Sequence, residues 1–213
     1  MENPKTHKAG FVSIVGRPNA GKSTLMNCLV GERLSIITPK AQTTRHRVMG
    51  IINDPDFQIV YSDTPGVIEP KYELQKSMMR FVDFSLEDAD MVLWVLDVKD
   101  PGDHGLVLQR LNNVDVPVLL VLNKVDLSTQ EEMDALIEKW KVEFPKAESI
   151  LAVSAIKGFN SDMVLKWVLS HLQDHPPFYD KDALTDKPER FFASEIFREK
   201  IFKNYSKEIP YSS

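Results

Sequence analysis

The chain holds a single cysteine, Cys28, in 213 residues, so no internal disulfide can form. A lone thiol in the helix after the first loop reads as packing, and a reducing compartment suits that usage. No apolar run reaches the ~18 residues that a membrane-spanning helix needs. The opening Met1-Glu2-Asn3-Pro4-Lys5 is not followed by the apolar stretch of a signal peptide. The sequence therefore predicts neither a secreted nor a membrane-spanning protein. Excess positive charge is missing too: 26 Lys and Arg against 31 Asp and Glu leave a net charge of −5. The chain as a whole is no polybasic nucleic-acid binder, and such a partner would need a local patch. Internal repeats and low-complexity tracts are also lacking.

What is present is an alternation of strand and helix signals. Phe11–Val15 reads as a buried strand, and Lys22–Val30 as a helix that Gly31 ends. Val48–Ile52 and Phe57–Tyr61 flank Asn53-Asp54-Pro55-Asp56, a hairpin signal. Leu74, Met78, Phe81 and Val82 recur at helical spacing. Met91–Leu96 and Val118–Leu122 are unbroken apolar runs, as expected of parallel strands covered on both faces. Ser128-Thr129-Gln130-Glu131 reads as a capping box opening a helix to about Phe144. Ile150–Val153 is the last strand, and Val164, Leu165, Val168, Leu169 and Leu172 mark the last helix of this unit. The expectation is an α/β fold with a mostly parallel six-stranded sheet and helices on both faces. Trp94, Trp140 and Trp167 sit on apolar faces and read as packing.

After His175-Pro176-Pro177 the character changes. We divide the chain into a domain over 1–174, a linker over 175–184 and a second, incomplete domain over 185–213. The linker prolines cannot continue a helix. A new helix is expected near Pro188, and one helix with a strand start cannot bury a core.

Four motifs carry chemistry. Gly16-Arg17-Pro18-Asn19-Ala20-Gly21-Lys22-Ser23 is a G-x-x-x-x-G-K-S phosphate loop between strand and helix. Its glycines let backbone N–H groups approach phosphates at a helix N-terminus, with Ala20, Gly21 and Thr24 in the same wrap. Lys22 would reach the β- and γ-phosphates, and Ser23 would bind Mg²⁺. Asn123-Lys124-Val125-Asp126 selects the base. The Asp126 carboxylate can accept N1–H and the 2-amino group of guanine, whereas adenine would leave it unpaired. The Lys124 stem can lie along the base, and Asn123 can tie this loop to the phosphate loop. The amide of Ala155, after Ser154, is assigned to guanine O6. Asp63-Thr64-Pro65-Gly66 would hold Mg²⁺ through Asp63 and meet the γ-phosphate with the Gly66 N–H. Finally, the aperiodic segment Glu32–Arg47 is what a mobile loop needs. Its Thr44, chosen over Thr43, would complete the Mg²⁺ shell. Arg17 and Arg45 read as solvated surface residues, and His46 as a bland loop residue.

These elements, in this order, resemble the small GTPase fold, a Ras-like variant of the phosphate-loop NTPases. Asn19, the Gln42-Thr43-Thr44-Arg45 stretch and Asp63–Gly66 look like the bacterial Era-type GTPases. Thr185–Arg190, Glu195-Ile196, Arg198–Lys200 and Glu208–Ser212 look like the start of that family's RNA-binding KH domain. Its G-x-x-G loop does not follow. The resemblance implies a monomeric GTPase that binds GTP or GDP with Mg²⁺ and acts in 30S subunit assembly near the 3′ end of 16S rRNA. It also implies a bacterial cytoplasmic location with some peripheral association at the inner membrane. A sister GTPase serving tRNA modification or metal transport is the alternative family member. Many GTPases follow the D-x-x-G glycine with a water-orienting Gln, but here Val67 stands there, which implies slow hydrolysis. By the same resemblance Asn19 is a candidate K⁺ ligand that would supply positive charge beside the phosphates, or else it only shapes the loop. The catalytic set is then Lys22, Asn19, Thr44 and Gly66. A GTP-gated binding module with incidental hydrolysis is the competing function class.

Overall fold

The computed structural model describes residues 6–38, 40 and 42–204. The Met1–Lys5 and Glu208–Ser212 stretches, and positions 39 and 41 of the Glu32–Arg47 segment, lie outside them.

The chain runs β1 (Lys8–Val15), α1 (Lys22–Val30), β2 (Val48–Asn53), β3 (Phe57–Asp63), α2 (Glu73–Glu87), β4 (Met91–Asp97) and α3 (Gly105–Asn112). It continues through β5 (Val118–Asn123), α4 (Gln130–Glu143), β6 (Ser149–Val153), α5 (Ser161–His171), β7 (Gln173–Asp174) and α6 (Glu189–Asn204). The sheet order is β2-β3-β1-β4-β5-β6. β2 runs antiparallel to β3, and the other neighbours on this path are parallel. The expected six-stranded, mostly parallel sheet is therefore present. Two-residue β7 adds an antiparallel pair to β1 that the sequence does not announce. Strand order reverses beside β1, so the loops after β1, β4, β5 and β6 open into one crevice.

Helices cover both faces. One cluster packs α1 and α5 against Val12, Ile14, Leu93 and Val121. The other packs α2, α3 and α4 against Val15, Trp94, Leu120 and Leu122. Trp94 and Trp140 are fully buried and meet edge-on, with ring centroids 4.8 Å apart. Trp167 is only partly buried.

α3 escaped the sequence reading because it is short and buries only Val107 and Leu111, too sparse a period to recognise. The start of α4 needs a one-residue correction. The capping box pairs Thr129 with Glu132, not Ser128 with Glu131. Ser128 instead adds a third bond, its Oγ donating to Glu132 at 2.6 Å. Hydrogen bonds from Lys99, Ser128 and the Thr129 amide hold the Glu132 carboxyl down at about 2. Its folded value lies below the ordinary 4.5. This cap is therefore fully present above that value and is lost as pH falls toward the folded one. Wild type and Glu132→Ala should differ in urea midpoint at pH 6, and the difference should vanish as pH drops from 4.5 to 2. A constant difference across that window would remove the carboxylate from this role.

The segment 175–184 is pinned along the open edge of the sheet. Buried Gln58 donates to the Tyr179 carbonyl at 2.9 Å and accepts from the Phe178 and Tyr179 amides. The Ile51 amide donates to Leu184 O, and Asn53 Nδ2 to Ala183 O. An edge strand left bare would invite pairing with another chain, and this segment covers it. α6 then lies over the loop before β2, with Phe191 and Phe192 against the core and Phe202 buried.

Candidate functional site

The phosphate loop is shaped by three left-handed positions: Gly16 at φ 154°, Asn19 at 62° and Gly21 at 95°. A Cβ on Gly16 would sit 2.2 Å from the Val95 carbonyl oxygen, and one on Gly21 would sit 2.2 Å from Asn123 Nδ2. Neither position tolerates a side chain. α1 follows with no capping side chain and no acid in its first turn. Its leading N–H groups are thus left to an anion.

Lys22 is buried and bends back over the loop, donating to Gly16 O at 3.2 Å and Arg17 O at 2.9 Å. Burial lowers its ammonium to about 8, while Asp63 pulls the other way. Ser23 Oγ donates to Asp63 Oδ2 at 2.7 Å and lies 3.1 Å from Thr44 Oγ1. The fold thus brings Thr44, rather than Thr43, to Ser23. The Thr43 hydroxyl is engaged with Lys40 O and Thr38. Asp63 is wholly buried, and burial raises its carboxyl although Ser23 and Lys22 oppose this. Its Oδ1 has no hydrogen-bond partner. Two hydroxyls and a carboxylate with an unsatisfied oxygen form a hard-oxygen set, which fits Mg²⁺ bound jointly by protein and phosphates.

Gly66 passes so close to the phosphate loop that a Cβ there would lie 2.6 Å from Pro18 Cα. The next amide, Val67 N–H, donates to Gly16 O at 3.0 Å. The Val67 side chain is buried in the α2 core cluster, so nothing at this position can orient a water. Together these parts bound a cleft of about 450 Å³ whose lining includes Asn19, Thr24 and Lys124.

Across the cleft, Asn123 is buried and joins three loops. Its Nδ2 donates to Ala20 O at 2.8 Å, and its Oδ1 accepts from the Ala155 amide at 3.0 Å. The first bond is the tie to the phosphate loop expected from the motif. The second gives the Ala155 amide a partner inside the protein and sets it beside the base-selecting loop. Ser154 Oγ donates to Asp126 Oδ1 at 2.5 Å and orients an otherwise exposed carboxylate. Lys124, itself left-handed at φ 68°, donates to Asn19 O at 2.8 Å and pairs with Asp97 at 2.6 Å. Asp97 was missed. Its place at the C-terminal end of β4, beside the crevice, was the available signal.

Arg17 also departs from expectation. It is not a free surface residue: Nε pairs with Asp100 at 3.0 Å, and Nη1 donates to Asp103 O. A Cβ on Gly102 would fall 1.9 Å from that Nη1, so the glycine leaves room for it. Arg45 lies over the Phe202 ring of α6, and burial lowers the guanidinium from its ordinary value. His46 stays exposed, edge-on to Phe81.

Residues 11–124 match the model of a family described as 50S ribosome-binding GTPase. The chain is 42% identical to GTPase Era of Leuconostoc citreum over 210 residues, covering 97% of this chain and 69% of that protein. It is 45% identical to the chloroplastic GTPase ERA1 of Zea mays over 211 residues, but spans only half of that protein's length. Among solved structures, Era in complex with MgGDPNP and nucleotides 1506–1542 of 16S ribosomal RNA superposes with a TM-score of 0.91. That pair is 40% identical and aligns over 97% of this chain and 70% of the other. An Aquifex aeolicus Era variant bound to GDP·AlF4⁻ superposes at 0.90, with 40% identity over 95% of this chain and 70% of that one. A phosphate loop, a base-selecting loop tied to it by Asn123, and identity at this level over nearly the whole chain lead to one conclusion: the protein belongs to the Era family of GTPases.

Proposed function

We propose that this chain is a GTP-binding, slowly hydrolysing switch that acts in 16S rRNA maturation and 30S subunit assembly. The observation that carries the nucleotide half is the convergence of Ser23, Thr44 and Asp63 beside Lys22 at an uncapped helix N-terminus. The RNA half is supported by the Era structure that holds a 16S rRNA segment. The protein acts in the bacterial cytoplasm, as a monomer, with peripheral contact at the inner membrane. Among the described residues no helix is long and apolar enough to cross a membrane.

In this reading Gly16, Ala20, Gly21 and Thr24 wrap the phosphates with backbone and hydroxyl donors. Lys22 places its ammonium on the β- and γ-phosphates, whose charge restores what burial takes from it. Ser23, Thr44 and Asp63 hold Mg²⁺, which when bound would neutralise charge developing on the phosphates. The Gly66 N–H meets the γ-phosphate, so loss of that group frees both the Asp63–Gly66 and Thr44 loops. Asp126, steadied by Ser154, takes the two N–H edges of guanine, and Lys124 lies along the base. The Ala155 amide, set beside Asn123, is the donor offered to guanine O6.

Asn19 is our candidate for the missing charge. It sits at the cleft edge in a left-handed conformation. A K⁺ ion held by its side chain would stabilise the transition state where other GTPases use an arginine. Arg17 and Arg45 do not take that role, because both are engaged within the fold. A second reading, a GTP-gated binding module with incidental hydrolysis, is favoured by the buried Val67 alone.

One experiment tests both. Single-turnover GTP hydrolysis is followed in K⁺ and in Na⁺, with and without small-subunit RNA, for wild type and Asn19→Ala. We expect K⁺ to accelerate wild type by about 10-fold or more, Asn19→Ala to lose that gain, and RNA to accelerate further. Equal wild-type rates in the two salts would remove the K⁺ role. A rate indifferent to RNA would favour the binding-module reading.

A further inference from the structure

The loop after β4 is folded around Arg17, the second residue of the phosphate loop. Asp100 accepts the Gly102 amide on Oδ1 at 2.9 Å and meets Arg17 Nε with Oδ2 at 3.0 Å. Asp103 accepts the Gly105 amide on Oδ1 at 2.8 Å, and its carbonyl accepts from Arg17 Nη1 at 2.6 Å. Each acid thus spends one carboxylate oxygen on shaping its own loop. What remains is a carboxylate oxygen and a carbonyl, spaced for the planar fork of a guanidinium. Gly102 completes this seat, since a Cβ there would fall 1.9 Å from Arg17 Nη1 and 2.3 Å from Cζ. Its backbone is not left-handed. The missing side chain therefore serves the arginine and not the turn.

The same stretch of chain holds the phosphate loop at a second point. Asp97 pairs with Lys124, whose ammonium also donates to Asn19 O at 2.8 Å. Pro18 lies between the two anchors, Arg17 and Asn19. Gly66 rests against it: a Cβ on Gly66 would lie 2.6 Å from both Pro18 N and Pro18 Cα. The Val67 amide donates to Gly16 O beside this contact. The Asp63–Gly66 loop is thus seated on residues 16–18. Where those residues are held sets the place from which the Gly66 N–H would meet a γ-phosphate.

We propose that Arg17, Asp100 and Gly102 are positioning residues for the γ-phosphate contact. The loop after β4 holds Arg17, Arg17 holds the Gly16–Pro18 seat, and the seat places Gly66. This rests on the Mg²⁺–nucleotide reading of the site. The other two phosphates are gripped by the amides at the start of α1 and by Lys22. Loosening the seat therefore costs affinity for GTP and spares GDP.

The test titrates fluorescent GDP and a fluorescent, non-hydrolysable GTP analogue in Mg²⁺ against wild type, Gly102→Ala, Arg17→Ala and the double variant. Gly102→Ala removes no polar group, and its methyl displaces the guanidinium. It should weaken the GTP analogue by about 10-fold, the worth of one hydrogen bond to a charged group, and leave GDP within about two-fold. Arg17→Ala should do the same, and it decides the matter alone if Gly102→Ala does not fold. In the double variant the methyl has nothing to displace, so it should bind both nucleotides as Arg17→Ala does. Unchanged affinity for the GTP analogue in the single variants would overturn the proposal. So would an equal loss for both nucleotides, which is what mere support of the fold predicts, or a further loss when the methyl is added to Arg17→Ala. A wild type that bound neither nucleotide would instead overturn the nucleotide reading, and this proposal with it.

Discussion

Asp126→Asn should weaken GTP binding by two to three orders of magnitude and restore much of it for xanthosine triphosphate. The carboxylate accepts two N–H groups of guanine. Hydrogen bonds to a charged group are worth about 1.5–3 kcal/mol each, so losing one, weakening the other and setting two donors face to face costs about 3–4 kcal/mol. An amide keeps one acceptor and turns the other contact into two donors face to face. Xanthine replaces the 2-amino group with a carbonyl, which that amide N–H can meet. The fold should be indifferent, since Ser154 Oγ can donate to an amide oxygen as it does to Asp126 Oδ1. Equilibrium titration of both nucleotides with both proteins decides it. GTP affinity kept within a few-fold in the variant would remove Asp126 from base recognition.

The second large effect concerns Asn123, where loss should appear in stability and in binding together. Asn123→Ala strands the Ala20 carbonyl and the Ala155 amide in surroundings where both residues are at most 5% exposed. Each orphaned group costs about 1–3 kcal/mol, for a total of about 2–6 kcal/mol. Domains of this kind are stable by only about 5–15 kcal/mol. The urea midpoint of nucleotide-free protein should therefore fall markedly. GTP affinity should fall as well, because the phosphate loop and base loop lose their shared post. Asn123→Asp keeps the acceptor for Ala155 but sets a carboxylate against Ala20 O, so it should not rescue. A midpoint unchanged in Asn123→Ala would show that the three loops are held by something else.

Legibility from sequence varied with how local the physics was. The phosphate loop was readable because its glycines, Lys22 and Ser23 are contiguous and their chemistry needs only backbone close to an anion. The buried strands β4 and β5 were readable because parallel strands covered on both faces must be apolar throughout. α3 was not, with only two buried residues to reveal its period. The partner of the Ala155 amide inside the fold was not readable, because Asn123 lies 32 residues earlier and only packing brings the two together. Arg17 was misread for a like reason: its partners Asp100 and Asp103 lie in the loop after β4, more than 80 residues further along the chain.

By itself, then, the order of residues determined the α/β architecture and the kinds of group offered to a nucleotide, since both follow from short periodicities and contiguous motifs. The tertiary structure alone decided that Asn123 also accepts from the Ala155 amide, that Arg17 pairs with Asp100 and Asp103, and that Gln58 pins the 175–184 segment to the sheet. Those choices depend on where distant backbones cross, and hydrogen-bond geometry at about 3 Å is settled only when they do.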